Sequence, residues 1–432
     1  MTKVLFDATM LGLCTSDVKH QTGVYRMIDN VAKRIVASGQ IKVDFYADSF
    51  IDETKKYLAF NTVYKNTKLI DAGSTGLDHF PTKFEKEEAR LTQKIERATS
   101  PYTKQWYTLR RSLLNTTHTV FSPFREKKDD GFEKFDIFHS SFLPINDYFL
   151  SKPDIKRFLT VHDLIAILFP NYFIGQPVPV KDAIDWMKPS DFFFTNSQYT
   201  KSDLCNYRKD VNPDNVFVTH LAADPQIFYH VSEKGKINDV LKKHSIPTNQ
   251  PYFLGVSTLE PRKNIDQVIR CFSQIVQQER LLKDTNLVLV GKRGWDYQKI
   301  FDTLDVNPAI RNKVFFTGFV DNTDLAPIYC GSLGFMYMSL YEGFGLPPLE
   351  AMQCGVPVIT SNTSSLPEVV GDAGITLDPK DDAALCQAIL NLYQDSALRE
   401  RMRAASLQQA AKFSWDKTVQ QTIQAYKYAL NT

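Results

Sequence analysis

The 432-residue chain is poor in the local signatures that usually declare a chemistry. Its six cysteines, Cys14, Cys205, Cys271, Cys330, Cys354 and Cys386, lie far apart and form no Cys-x-x-Cys pair. That spacing suggests neither a disulfide framework nor a zinc knuckle, and leaves reduced, mostly buried thiols as the expectation. No Gly-x-Gly-x-x-Gly, Walker loop or His-Glu-x-x-His occurs. No apolar run approaches the ~20 residues of a spanning helix, and even FLTVHDLIAILF is interrupted by His162 and Asp163. A net charge of +2 gives no bulk attraction for nucleic acid, so no nucleic-acid partner is expected. The opening MTKVLFDATML is strand-like and has no basic, apolar, small-residue succession of a signal peptide. The expected location is cytoplasmic, or peripheral on the cytoplasmic face of a membrane.

What remains is an ordinary globular composition, with 43% hydrophobic and 23% charged residues, on a chain long enough for two cores. Short apolar runs alternate with helical segments, the pattern of parallel sheets covered by helices. Strands are expected at KVLFDAT, KVDFYAD, FDIFHSSF, RFLTVHDL, DFFFTNS and NVFVTHL in a first unit, and at YFLGVST, NLVLVG, VFFTGF, LGFMYMS and VPVIT in a second. TGVYRMIDNVAKRIV reads as the first helix, because Val24, Met27, Ile28, Val31 and Ile35 share one face. The polar stretch 230–251 reads as the linker. Domains are therefore expected at 1–245 and 246–412, with a closing helix at 413–432. Residues 60–134 fit the rhythm poorly. There, aromatics mix with Arg97, Lys104, Arg110, Arg111, Arg125, Lys127 and Lys128, which suits either a solvated basic helix face or contact with an anionic membrane or acceptor.

Chemistry concentrates in SLYEGFGLPPLEAMQCGVPVI, where seven residues separate Glu342 from Glu350. A strand ending at Ser339 should lead through Gly343, Phe344 and Gly345 into a helix starting near Leu346. Pro347 falls in the first turn and Gly355 at the stop. Glu342 then lies on a loop at the carboxyl end of a strand, and Glu350 about one turn into the helix. Glycines admit close backbone approach and a helix N-terminus favours phosphate, so each carboxylate can serve hydroxyls on one side of a bound diphosphate. Taken singly, Glu350 could merely complement the helix dipole and Glu342 could be a turn residue.

The strand, Glu, Gly-Phe-Gly, Pro-Pro, Glu pattern resembles the retaining nucleotide-sugar glycosyltransferases of family four, also called group 1. The resemblance is strongest over about 251–415. It implies the GT-B architecture: an α/β fold of two Rossmann-like, doubly wound parallel-sheet domains facing across a cleft. It also implies that Glu350 holds the ribose hydroxyls and that Glu342 approaches the transferred sugar. GVSTLEPRKNID looks like the family's lysine loop, which places Lys263 and the adjacent Arg262 on the donor diphosphate. Many members carry an arginine several residues earlier, where this chain has Val256, Ser257 and Thr258. TVHDL resembles the family's strand-end His-Asp, with His162 reaching the sugar across the cleft, and TNSQYTKSDL is similar to another family feature, a strand followed by a polar helix start. Gly23 matches a glycine that faces the phosphates or the acceptor. GFVDNTDLAPIYCG resembles the nucleobase loop, with backbone near Phe319 and Val320 at the base edge, and Asp321 reads as a helix cap.

No Asp-x-Asp occurs, so the metal-bound diphosphate site of the other major glycosyltransferase fold has no evident ligands. No cofactor or dedicated metal is expected. The expectation is a glycosyltransferase with a nucleotide-sugar donor and a glycan or lipid-linked acceptor. A glycoside hydrolase, a nucleotide-sugar epimerase and a noncatalytic nucleotide-binding scaffold are the alternatives. The sugar, the base and the oligomeric state are not legible.

Overall fold

The computed structural model describes residues 1–15, 23–71, 132–172, 178–278 and 280–432. The aromatic and basic residues between Arg97 and Lys128 lie outside these. Thirteen strands among the described residues form two sheets. The first contains β1 (Lys3–Asp7), β2 (Lys42–Ala47), β3 (Leu69–Asp71), β4 (Ile137–Ser140), β5 (Lys156–Val161), β6 (Phe192–Thr195) and β7 (Val216–Val218), in the order β3-β2-β1-β4-β5-β6-β7. The second contains β8 (Tyr252–Val256), β9 (Asn286–Val290), β10 (Val314–Gly318), β11 (Gly334–Tyr337), β12 (Val358–Ser361) and β13 (Ile375–Leu377), in the order β10-β9-β8-β11-β12-β13. Every pairing is parallel. The strand order reverses beside β1 and again beside β8, and those switch points are where open α/β sheets place ligands, outside the carboxyl ends of the strands.

Four sequence expectations need correction. A short helix, Thr9–Thr15, precedes Gly23, so Gly23 opens the second helix, Gly23–Ser38, and not the first. β3 falls in the stretch that showed no strand pattern, and β13 was also unread; Leu69 and Ile70 of β3 are only half-buried and β13 is half-buried or exposed throughout, so neither makes a continuous apolar run. β11 stops at Tyr337, so Ser339 belongs to the loop. The polar stretch read as a linker carries the helix Lys234–Lys243, which packs on helix Asn322–Cys330. Lys243 Nζ (2.7 Å) and His244 Nε2 (2.8 Å) both donate to Asp324 Oδ2. The second unit's packing therefore begins before residue 246.

The last helix, Trp415–Asn431, lies on the first unit against helix Gly23–Ser38. Its Tyr426 is fully buried among Phe158, Phe194 and His139, with its hydroxyl 2.6 Å from His139 Nδ1. Burial of so large a ring contributes on the order of 2 kcal/mol or more. The C-terminal strap thus ties the two halves together.

Candidate active site

Glu342 sits in the loop after β11, and its Oε1 is the focus of four donors. Lys263 Nζ lies at 2.5 Å, Ser339 Oγ at 2.6 Å, Tyr337 Oη at 2.9 Å and Arg262 Nη1 at 3.0 Å. Lys263 also donates to Tyr337 Oη at 2.7 Å. Arg262 is fixed from two further sides, by Glu260 Oε1 at 2.6 Å and by the carbonyl of Tyr341 at 2.6 Å. Burial alone would raise the Glu342 carboxyl, but Lys263 and Arg262 more than offset it and bring it down to about 2. Glu342 is therefore a fixed anion that positions two cations. It is not a proton donor at neutral pH.

Glu350 lies in the helix Leu346–Gln353 and is likewise buried. Its partners are different: Tyr329 Oη donates to Oε2 at 3.2 Å, and Arg26 Nη1 donates to Oε1 at 3.3 Å. Burial raises its carboxyl, with Arg26 and Tyr329 acting against the rise. Arg26 comes from the opposite unit, on helix Gly23–Ser38, and its Nη2 donates to Asn322 Oδ1 at 2.8 Å. One turn earlier on the same helix, a Cβ placed on Gly23 would stand 3.3 Å from Leu346 Cδ1. The starts of two helices from different units thus meet.

The helix Leu346–Gln353 offers fewer N–H donors than its sequence position suggests. Its first turn reads Leu-Pro-Pro-Leu, and prolines have no N–H. Leu349 N is bonded to the Gly345 carbonyl at 3.3 Å. The Leu346 amide and the loop before it remain. Gly345 holds the N-cap position at φ 113, a conformation that glycine adopts without strain. Phe344 is buried against His220 and Phe413, so its side chain supports the loop and does not line an open pocket.

His162 follows β5 and is buried. Nε2 is 2.9 Å from the Ser141 carbonyl, to which it donates, and burial lowers the ring's pKa while that carbonyl opposes the shift. The ring is therefore neutral, with the proton on Nε2, and Nδ1 is the atom left to accept from a ligand hydroxyl. The loop carrying Glu342 closes directly on this strand end. A Cβ on Gly343 would be 2.3 Å from the His162 carbonyl oxygen and 2.8 Å from Asp163 Cβ, so only glycine permits the approach. The Gly343 carbonyl accepts from Ser197 Oγ (2.7 Å) and Thr200 Oγ1 (3.0 Å). Gly343 thus docks the two units through its carbonyl, a role distinct from the donor contact expected of it. Glu368 adds to the junction: its Oε1 takes the Gln198 amide at 2.9 Å and His220 Nε2 at 2.5 Å.

His162, Arg262, Lys263, Glu342 and the Gly343–Leu346 loop come together, and Gly23 and Glu350 join them at the helix starts. Phe319 and Val320 are less simply placed. Phe319 is exposed with Lys292 Nζ 4.9 Å over its ring, whereas the Val320 side chain is core. Asp321 occupies the cap position of helix Asn322–Cys330 but makes no side-chain capping bond, and the neighbouring Asn322 carries the polar contact instead. Sequence reasoning missed Arg26, Tyr337, Ser339, Ser197 and Thr200. Arg26 had one available signal, a charged residue one turn after a glycine at a helix start. Among the described residues, no three His, Cys, Asp or Glu side chains gather as a metal site, and no helix is long and apolar enough to cross a membrane.

Residues 236–409 match the family model described as glycosyl transferases group 1. The chain is 36% identical to the O-antigen chain mannosyltransferase B of Escherichia coli, over 62% of this chain and 69% of that protein. The chain belongs to the group 1 glycosyl transferases. It is a nucleotide-sugar-dependent glycosyltransferase of GT-B fold. It is also 29% identical to the serotype-specific mannosyltransferase WbdA of E. coli, over 64% of this chain and 34% of that longer protein. Among solved structures, Anabaena Alr3699/HepE in complex with UDP and glucose superposes with a TM-score of 0.65, covering 99% of this chain and 100% of that one at 15% identity. The lipopolysaccharide-biosynthesis glycosyltransferase WaaG superposes with a TM-score of 0.59 over 98% of each chain at 13% identity. These two likenesses concern the fold.

Proposed function

We propose that this glycosyltransferase moves a hexosyl unit, with retention at the anomeric carbon, from a nucleotide-diphosphate donor to a hydroxyl of a glycan or lipid-linked acceptor in surface polysaccharide assembly. The donor sits on the second domain and the acceptor on the first. The names of the two E. coli mannosyltransferases make mannose the first sugar to test. The observation that carries the reading is the pair of largely buried cations, Arg262 and Lys263, held on Glu342 in the loop that runs on to Leu346, where the start of helix Gly23–Ser38 meets it.

The chemistry follows from charge. As the anomeric carbon parts from the β-phosphate oxygen, negative charge grows on that oxygen, and Lys263, Arg262 and the Leu346 amide stabilise it without having to reorganise. The acceptor oxygen bonds to the anomeric carbon on the face the phosphate leaves, and its proton passes to the departing phosphate oxygen. His162 Nδ1 accepts from a hydroxyl of the transferred sugar and fixes its orientation. Glu350 takes the ribose hydroxyls, and the backbone near Phe319 and Val320 borders the base. Fixed cations supply the charge stabilisation, so turnover proceeds without a dedicated metal and survives chelation.

The hydrolase alternative would require an acid and a base facing each other across one bond. Glu342 held near pKa 2 supplies no acid, and Glu350 answers to a different set of partners. A thermal-shift screen of nucleoside diphosphates and their sugars tests the reading, because a ligand bound only by the folded state raises its melting temperature. At least one pair should stabilise the protein, and its sugar should appear on an acceptor. Release of free sugar alone, or no response to any donor, defeats the proposal.

A further inference from the structure

We infer that Arg26 is a donor-binding residue: when nucleotide enters, its guanidinium leaves Glu350 and takes the phosphate next to the ribose, so the first domain grips what the second domain seats. This rests on the donor site proposed above. Among the described residues, three cations lie on the two glutamates of the candidate site, Glu342 and Glu350. Arg262 and Lys263 are matched by the half-buried Glu260 and the buried Glu342, two cations against two carboxylates, with contacts of 2.5 to 3.0 Å. Arg26 is paired differently. Its Glu350 contact is longer, 3.3 Å, and its side chain keeps 28% of its surface open. Its carboxylate partner is also the one that ribose hydroxyls can satisfy, which would free the guanidinium.

Position supports the exchange. Gly23 and Leu346 meet at the helix starts, and Arg26 and Glu350 meet one turn further along the same two helices. A diphosphate at the helix starts and a ribose at Glu350 would leave Arg26 beside the junction between them. A long helical side chain leans toward the N-terminus of its helix, here toward Gly23 and the phosphate level. The need is also visible, because Pro347 and Pro348 remove two N–H donors from the facing helix. A planar guanidinium suits a phosphate with two parallel hydrogen bonds.

The test titrates wild type, Arg26→Gln and Arg26→Lys with GDP, UDP, ADP and TDP by calorimetry, and with the parent nucleoside of whichever binds by ligand-observed NMR. Arg26→Gln should weaken the diphosphate by about 10-fold or more and the nucleoside by less than about twofold, with Arg26→Lys between. If Arg26→Gln proves unstable, the lysine variant carries the same comparison. Equal weakening of diphosphate and nucleoside would mean that Arg26 merely holds the halves together, and no weakening of either would mean that it stays with Glu350; each overturns the inference. A wild-type protein that binds none of the four diphosphates removes the donor reading itself, and Arg26's role with it.

Discussion

Lys263 Nζ lies 2.5 Å from Glu342 Oε1, and both side chains are about nine-tenths buried. The cation proposed to meet the leaving diphosphate is therefore held by the first glutamate of the pair. Because Arg262 reaches the same oxygen at 3.0 Å, Glu342 works chiefly by keeping two like charges together in a buried place.

Glu342→Gln should expose that role. Removing the anion leaves two buried cations sharing only Glu260, a change that costs about 3–5 kcal/mol of stability, measurable by urea denaturation. The freed cations should bind a nucleoside diphosphate more tightly while transfer slows. The sign with pH is fixed: a carboxyl whose pKa falls from 4.5 to about 2 on folding contributes stability above pH 4.5 that is lost as pH drops toward 2. The variant should lack that part of the acid limb. An unchanged acid limb together with weaker diphosphate binding would count against the assignment.

Lys263→Ala and Glu350→Ala should separate catalysis from binding. Losing a cation directed at charge that grows in the transition state lowers kcat by about 100- to 1,000-fold, with a smaller change in donor affinity. Losing the carboxylate directed at ribose weakens donor Kd by about tenfold and spares the bound chemistry. Steady-state kinetics with a donor titration distinguish the two patterns, and wild-type transfer by both variants would defeat the site.

Gly343→Ala should act on closure. The added methyl meets the His162 carbonyl oxygen at 2.3 Å, across the junction between domains. Backbone cannot yield there without parting the loop from β5 and straining the bonds from Ser197 and Thr200 to the Gly343 carbonyl. One face of each sheet packs in a core confined to its own unit, so far-ultraviolet circular dichroism should change little while kcat falls and the radius of gyration in solution scattering rises. Normal turnover would show that closure at Gly343 is not needed.

The apolar runs and the Glu-x7-Glu loop were legible because parallel strands buried on both faces read as continuous hydrophobic stretches and because glycine and proline punctuate a loop at fixed offsets. Hence β8, β9 and the helix at Leu346 fell where expected, and β11 did so except for its end, which comes at Tyr337. β3 and β13 did not, since both are short and at most half-buried and so lack the continuous apolar run that betrayed the equally short β7. The helix Lys234–Lys243 was hidden by its polar surface, although Leu241 is core and Asp324 fixes its end. The missed site residues share a different cause. Arg26, Ser197 and Thr200 act on atoms more than a hundred positions away, and only domain packing brings such partners together. His162 was visible as a strand-end residue, but the commitment of Nε2 to Ser141 was not, because the carbonyl involved belongs to another strand's end.

Asp7, at the end of β1, offers a test with the opposite pH sign to Glu342. It is buried, and burial reinforced by the charge of Asp48 raises its carboxyl from 3.8 to about 7, against the Thr9 N–H that donates to Oδ1 at 2.9 Å. Over that window the folded chain keeps a proton that the unfolded chain has released. Stability therefore falls as pH rises from about 4 to about 7 and then levels off. The ceiling of the effect is on the order of 4 kcal/mol. Asp7→Asn keeps the shape and has no proton to lose, so it should match wild type near pH 4 and exceed it near pH 8 in chemical denaturation. Glu342 stays ionised throughout the range from pH 5 to 8 and does not contribute to the difference. The Asp7 carbonyl accepts from Ser141 Oγ at 3.2 Å, and Ser141 in turn holds His162, so the same titration should loosen the proposed sugar contact and raise KM above pH 7 in the wild type but not in the variant. Parallel stability profiles for the two proteins would show that Asp7 is ionised in the fold and would remove it from this account.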